Sequence, residues 1–291
     1  PLRFYSSTNL KDWTFESGYN NNQVIDDVLV NAIHTECPDF FKLPVEGSTQ
    51  EKWVLMRSSK AYMIGEFKNI GNNWFFIPDS NTSINPNFGN DVYAGQTFSD
   101  TPDGRRIMIH WMTNFDYSGD LANVTDPYNG AFTMAYELKL KETNEGIRLY
   151  QTPIQEYESL RKPAHSFKKK TISAQDENIL KDIKSQQFEI VATVTPATGT
   201  TQFGFNLRVG NGQLTKVYYN VRNQQLVVDR TQSGTTPNDK FAKVFSKRTQ
   251  LINGKIQLHI FVDWSSIEVF ANDGAELASA LIFPDPESQD M

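Results

Sequence analysis

Residues 256–262 read Ile256-Gln257-Leu258-His259-Ile260-Phe261-Val262, and Ile256, Leu258, Ile260 and Val262 fall on every second position. A period of two places those four side chains on one face of an extended strand and Gln257, His259 and Phe261 on the other. The same alternation appears upstream in Phe188, Ile190, Ala192 and Val194, and again in Phe203, Phe205, Leu207 and Val209. Val217, Tyr219 and Val221 continue it, and a turn at Asn223-Gln224-Gln225 leads into Leu226 and Val228. Strands with one apolar face suit two antiparallel sheets packed face to face. The C-terminal half therefore reads as a β-sandwich.

The N-terminal half has a different texture. Short apolar or alternating runs at 52–57, 61–67, 74–77, 106–111 and 131–140 are each closed by Asn, Asp, Gly or Pro. Long segments with helical periodicity are missing, so the class is all-β, with a propeller, sandwich or barrel as the choices. Tyr5-Ser6-Ser7-Thr8-Asn9-Leu10-Lys11-Asp12-Trp13 reads as a strand, a polar turn and a Trp that closes the next strand, a layout that suits a propeller blade as well as a single hairpin in any β-protein. Residues 155–161 form a short helical turn that Lys162-Pro163 ends, because the residue before proline is biased away from helix. We place a domain boundary there, giving residues 1–160 and residues 161–291.

Composition excludes several function classes. The net charge of -6 leaves the basic residues outnumbered, and their one run is Lys168-Lys169-Lys170, so no nucleic-acid surface is expected. No apolar stretch approaches membrane length. Cys37 is the single cysteine, which rules out an internal disulfide framework and a multi-cysteine metal site. His34, His110, His165 and His259 show no metal-ligand spacing. The chain starts without Met, inside what reads as a strand, and a processed or truncated N-terminus is expected. Two sequons, Asn81-Thr82-Ser83 and Asn123-Val124-Thr125, tilt the expected location slightly toward an extracellular or secreted one.

Six stretches in order then carry a resemblance. They are the Tyr5–Trp13 segment, Glu36-Cys37-Pro38, Tyr62-Met63-Ile64-Gly65-Glu66-Phe67, Asp91-Val92-Tyr93-Ala94-Gly95-Gln96-Thr97-Phe98, Ile109-His110-Trp111-Met112-Thr113-Asn114-Phe115-Asp116-Tyr117, and the hairpin 263–274. Together they resemble the β-fructosidase family of glycoside hydrolases, which includes invertases, inulinases and levanases, over nearly the whole chain. The resemblance implies a five-bladed β-propeller, partial here, followed by a C-terminal β-sandwich. It implies sucrose or a fructan (inulin or levan) as substrate, a retaining two-carboxylate mechanism, no cofactor and no metal. Oligomeric state is left open.

Two departures accompany the resemblance. The Asn-Asp-Pro motif that supplies the family's nucleophile and the Arg-Asp-Pro motif that binds the fructosyl ring are absent; the only Asp-Pro pairs are Asp126-Pro127 and Asp285-Pro286. Both motifs are expected upstream of Pro1, and an inactive or fructan-binding remnant is the alternative reading. At 129–138 the chain reads Asn129-Gly130-Ala131-Phe132-Thr133-Met134-Ala135-Tyr136-Glu137-Leu138, without the arginines usual there. A third reading, a sialidase, would need an arginine triad and repeated Asp-box turns; one loosely similar turn lies at Ser7–Trp13.

Retaining glycosidases use two carboxyl groups about 5 Å apart, one as nucleophile and one as acid and then base. Through the resemblance Glu36 takes the acid/base role, against the plain reading of a solvated loop carboxylate. Pro38, Phe40 and Phe41 are expected to shield it from water. Asp39 could accept sugar hydroxyls or cap its own turn. Asp91 and Tyr93 suit sugar recognition or structure equally, and Trp111 could line the pocket or sit in the core. Trp264 is expected to pack in the sandwich core or against its hairpin.

Overall fold

The computed structural model describes residues 2–20, 23–26, 28–30, 36–58 and 60–291. His34 and Thr35, which precede Glu36, lie outside the described residues. Two hairpins come first: β1 (Leu2–Ser6) with β2 (Thr14–Tyr19), and β3 (Gln23–Ile25) with β4 (Val28–Val30). A four-stranded meander follows, with β5 (Pro38–Pro44), β6 (Glu51–Arg57), β7 (Ala61–Ile70) and β8 (Asn73–Pro78) in sequence order. The next sheet holds β9 (Tyr93–Phe98), β10 (Arg106–Met112), β11 (Ala131–Phe132), β12 (Tyr136–Thr143) and β13 (Gly146–Pro153).

These meanders are blades of a β-propeller, and blades stack face to face. The β5–β8 sheet is consequently buried on both sides. Phe41, Val54, Met56, Tyr62 and Ile64 pack toward Met108, Leu138 and Leu140 of the next sheet. Leu55, Met63 and Phe76 join Tyr19 and Ile25 on the opposite side. Val54-Leu55-Met56 and Tyr62-Met63-Ile64 thus run apolar without alternation, because both faces leave water.

The 131–140 run is broken in the folded chain. β11 and β12 lie along the same side of β10, with a break at Thr133–Ala135. There the backbone N–H of Met134 donates to Glu268 (2.6 Å) and that of Ala135 to the Tyr157 hydroxyl (2.8 Å). These donors are satisfied from outside the ladder, so the strand pauses there. After β13 a 3₁₀ helix spans Gln155–Leu160.

The remaining strands are β14 (Phe188–Val194), β15 (Gln202–Gly210), β16 (Gln213–Asn220), β17 (Gln225–Gln232), β18 (Val244–Arg248), β19 (Ile256–Val262), β20 (Ser266–Ala271) and β21 (Glu276–Leu281). They form two four-stranded sheets, β14-β19-β20-β21 and β15-β16-β17-β18. The alternate apolar residues meet between them: Leu207, Val217, Tyr219, Leu226 and Val228 against Ile256, Leu258, Ile260 and Val262, with Phe188, Ile190, Phe203 and Phe205 at the margin. Val209 departs from the expected alternation. The register shifts between Leu207 and Gly210, and Arg208 has φ 54°, a bulge that turns the buried Arg208 guanidinium onto the Ser288 carbonyl (2.8 Å). Trp264 is likewise not a core residue, being 54% exposed.

The seam between the two halves runs along β20 and β21, which are buried on both faces. Ile267 and Val269 point into the sandwich, whereas Phe270 and Leu277 join the propeller cluster around Tyr136 and Leu140. Residues 87–91 lie beside β21 like a partial strand: Phe88 N donates to Leu277 O (2.9 Å), and Asn87 exchanges side-chain bonds with Ser279. Gly89 sits so close that a Cβ would come 2.2 Å from the Ser279 carbonyl oxygen, so glycine is required there.

Candidate active site

Glu36 stands immediately before β5. Its carbonyl accepts from the Ser58 backbone N–H (3.0 Å) and from the Ser58 hydroxyl (2.8 Å), which anchors the turn to the end of β6. Cys37 takes a left-handed φ of 45°, and Pro38 opens the strand, where a missing N–H is tolerated. Cys37 is half-buried and free. The Glu36 side chain is exposed, so Pro38, Phe40 and Phe41 do not screen it as expected. Phe40 turns instead into an aromatic stack with Trp53, at 4.5 Å between ring centroids, and Phe41 is in the core.

Tyr93 meets Glu36 from the head of β9, its hydroxyl donating to Glu36 Oε2. That bond, followed by partial desolvation, raises the Tyr93 pKa, so the phenol keeps its proton and remains the donor. The Ser58 hydroxyl also reaches Tyr93. Two strands from different sheets are thereby tied together at one point. Asp39 reinforces the tie one turn further in, where its Oδ2 accepts the Thr97 backbone N–H at 2.7 Å. Asp39 therefore joins β5 to β9, and its own turn is not what it caps.

Trp111 is the register partner of Tyr93 across β10 and β9. Its ring lies 6.0 Å from that of Phe115, which makes an edge contact with Tyr93 at 4.8 Å. Gly130, at φ 84°, leaves room for the Trp111 indole: a Cβ would lie 2.5 Å from Nε1. Phe115 and Phe132, the latter a register partner of Trp111, are exposed beside this group. The structure thus brings Glu36, Tyr93 and Trp111 together with Asp39 behind them, and adds Ser58, Phe115 and Gly130. Ser58 has no sequence signal, whereas Phe115 is legible as the aromatic of the Asn114-Phe115 pair.

Asp91 is not among them. Its side chain is fully buried, and both oxygens are engaged: Oδ1 by the Tyr117 hydroxyl, Oδ2 by Arg230 and by the Leu281 backbone N–H (2.8 Å). The carboxylate that sequence reading offers to a sugar is a seam residue, neutralised by a guanidinium from the sandwich.

Glu268, also unflagged in the sequence, is buried at the same seam. It accepts from Met134 N (2.6 Å), Ser279 Oγ (2.8 Å) and the Tyr136 hydroxyl, all uncharged donors. Burial without a cation pushes its pKa up to about 7.

Comparison with known proteins agrees with this architecture. The family description "Glycosyl hydrolases family 32 N-terminal domain" matches residues 1–153, and "Glycosyl hydrolases family 32 C terminal" matches residues 156–291. A levanase of Bacillus sp. (strain L7) is 40% identical over 305 residues, covering 100% of this chain and 32% of the relative. A fructan beta-fructosidase of Streptococcus mutans serotype c is 40% identical over 304 residues, covering 99% of this chain and 20% of the relative. The chain thus spans a third or less of these curated relatives. The crystal structure of exo-inulinase from Aspergillus awamori superposes with a TM-score of 0.82 at 26% identity, over 99% of this chain and 58% of that one.

Proposed function

Because the chain belongs to glycosyl hydrolase family 32, we propose that it carries the acid/base half of a retaining exo-β-fructosidase acting on sucrose or on a fructan such as inulin or levan. Glu36 protonates the departing glycosidic oxygen, then deprotonates the water that releases fructose from the covalent intermediate. Tyr93 holds the Glu36 carboxyl in one orientation. Trp111 and Phe115 form an apolar wall against which a sugar ring packs, and Asp39 serves by keeping β5 and β9 in register. The reaction needs a second carboxylate as nucleophile, and Glu36 supplies only the acid/base half. Polymeric fructans do not cross membranes, so action on inulin or levan places the enzyme outside the cell.

The observation that carries this reading is the Tyr93–Glu36 hydrogen bond at the junction of β5 and β9, beside the exposed aromatic group. The test is Glu36→Gln in the intact protein, with sucrose and fructan hydrolysis measured. Loss of general acid and base catalysis should lower turnover by about 10²–10⁴-fold. Near-normal turnover would end the assignment.

A further inference from the structure

Arg230 belongs to β17 of the sandwich, yet its guanidinium is completely buried against the propeller. Its Nε donates to the Phe241 carbonyl (2.9 Å), one terminal nitrogen to Asp91 Oδ2 and to the Leu281 carbonyl (3.0 Å), and the other to the Tyr117 hydroxyl (3.0 Å). The rings of Phe241 and Phe245 cover it, with centroids at 3.9 Å and 4.8 Å. A guanidinium with its donors engaged in a fixed fork holds its partners in one geometry.

What it holds is the loop that delivers Tyr93. Asp91 lies two residues before Tyr93, and only Val92, itself fully buried, separates them. The same loop is pinned at its start by the Asn87–Ser279 pair and at Asn90, whose carbonyl accepts from Lys60 Nζ (2.8 Å) and Asn114 Nδ2 (3.1 Å). Asn90 and Ala94 both take left-handed φ values, 69° and 50°, so the backbone on either side of Tyr93 is sharply bent and depends on these anchors. A route therefore leads from Arg230 by direct contact to Asp91, along the backbone through Val92 to Tyr93, and by direct contact to Glu36.

We propose that Arg230 is a positioning residue for the acid/base: through Asp91 and the 87–93 loop, the sandwich sets where the Tyr93 hydroxyl meets Glu36. The inference rests on the acid/base reading of Glu36. It makes the sandwich part of the catalytic apparatus, although Arg230 touches no reacting atom.

The discriminating measurement is kcat/KM of the intact protein on two substrates. Sucrose has a poor leaving group that needs a proton from Glu36. An aryl β-fructofuranoside with an acidic phenol leaves without one. In Arg230→Lys a shift of about an ångström at the acid should lower kcat/KM for sucrose by about 10-fold or more, with the aryl substrate held within about 2-fold. Asn87→Ala, which loosens the loop without leaving a buried charge, should show the same selective loss if Arg230→Lys fails to fold. Combining Arg230→Lys with Tyr93→Phe should add little to Tyr93→Phe alone. Equal losses on both substrates, no loss on either, or full additivity with Tyr93→Phe would overturn the inference. A Glu36→Gln protein with normal sucrose turnover would remove the reading beneath it, and that result is visible separately from the behaviour of Arg230.

Discussion

The β5–β8 blade and the β14–β19 edge of the sandwich are both antiparallel, yet they meet water differently. In the blade, Leu55 and Val54 are adjacent in sequence, face opposite ways and are both fully buried. In the sandwich edge, Ile190 leans on the core, whereas its neighbour Val191 is 71% exposed. Between these extremes lie β20 and β21, sandwich strands whose outer faces are buried by the propeller. The contrast teaches that alternation reports how many faces of a sheet are covered. It also locates Asp91, Arg230 and Glu268, which are fully paired or hydrogen-bonded and buried where a sandwich strand is covered a second time.

The largest expected effect breaks that second covering. Arg230→Met leaves the Asp91 carboxylate buried without its cation and should destabilise the protein by about 3–5 kcal/mol, read from denaturant unfolding. An unchanged midpoint would mean that the seam is open to water. Next, Leu55→Ala in the doubly buried blade should cost about 2–5 kcal/mol, because the stacked neighbours cannot collapse into the space.

A pH titration sharpens the same comparison. The raised pKa of Glu268 means that the neutral acid is the form the seam favours, and hydroxyl rotation at Tyr136 and Ser279 can accommodate the extra proton. Its contribution is fully present below the ordinary carboxyl pKa of 4.5 and is lost as pH rises through about 7. Stability should fall by on the order of 2–3 kcal/mol across that window. Glu276, also raised to about 7 by burial, adds a slope of the same sign. Thermal unfolding across this range should therefore flatten in part in Glu268→Gln, and an unchanged slope would exclude Glu268 as its source. The smallest effect is at the exposed edge. Val191→Thr should stay within about 0.5 kcal/mol of the parent in the same unfolding assay, and a larger change would show that the face is covered.

Legibility in the sequence followed the same division. Five of the sandwich strands, β14 to β17 and β19, could be read from their period, and Val209 failed only because a bulge at Arg208 changes the phase. The break at Thr133–Ala135 was invisible, since its cause is Glu268, a residue far along the chain. At the candidate site, Glu36, Tyr93 and Trp111 were legible as motif members, and the structure brings all three together. Their mutual contacts were not legible, nor was the part played by Ser58. The role of Asp91 stayed open because a carboxylate in an Asp-x-Tyr motif looks the same whether it faces a sugar or a guanidinium.

Local pattern was therefore enough for the class of the fold and the stretches that mark the family. Those features depend on hydrophobic period and turn chemistry, which act over a few residues. Glu36 belongs with them as a residue, because the Glu-Cys-Pro stretch is contiguous. The environment of each charge was decided only by the tertiary structure. Arg230 lies 139 positions from Asp91 and Glu268 lies 132 from Tyr136. Whether such a group is paired, neutral or solvated depends on which surfaces the fold presses together. Glu36-Cys37-Pro38 marks the candidate site in the sequence, whereas the buried Asp91–Arg230 pair close to Tyr93 is visible only in the fold.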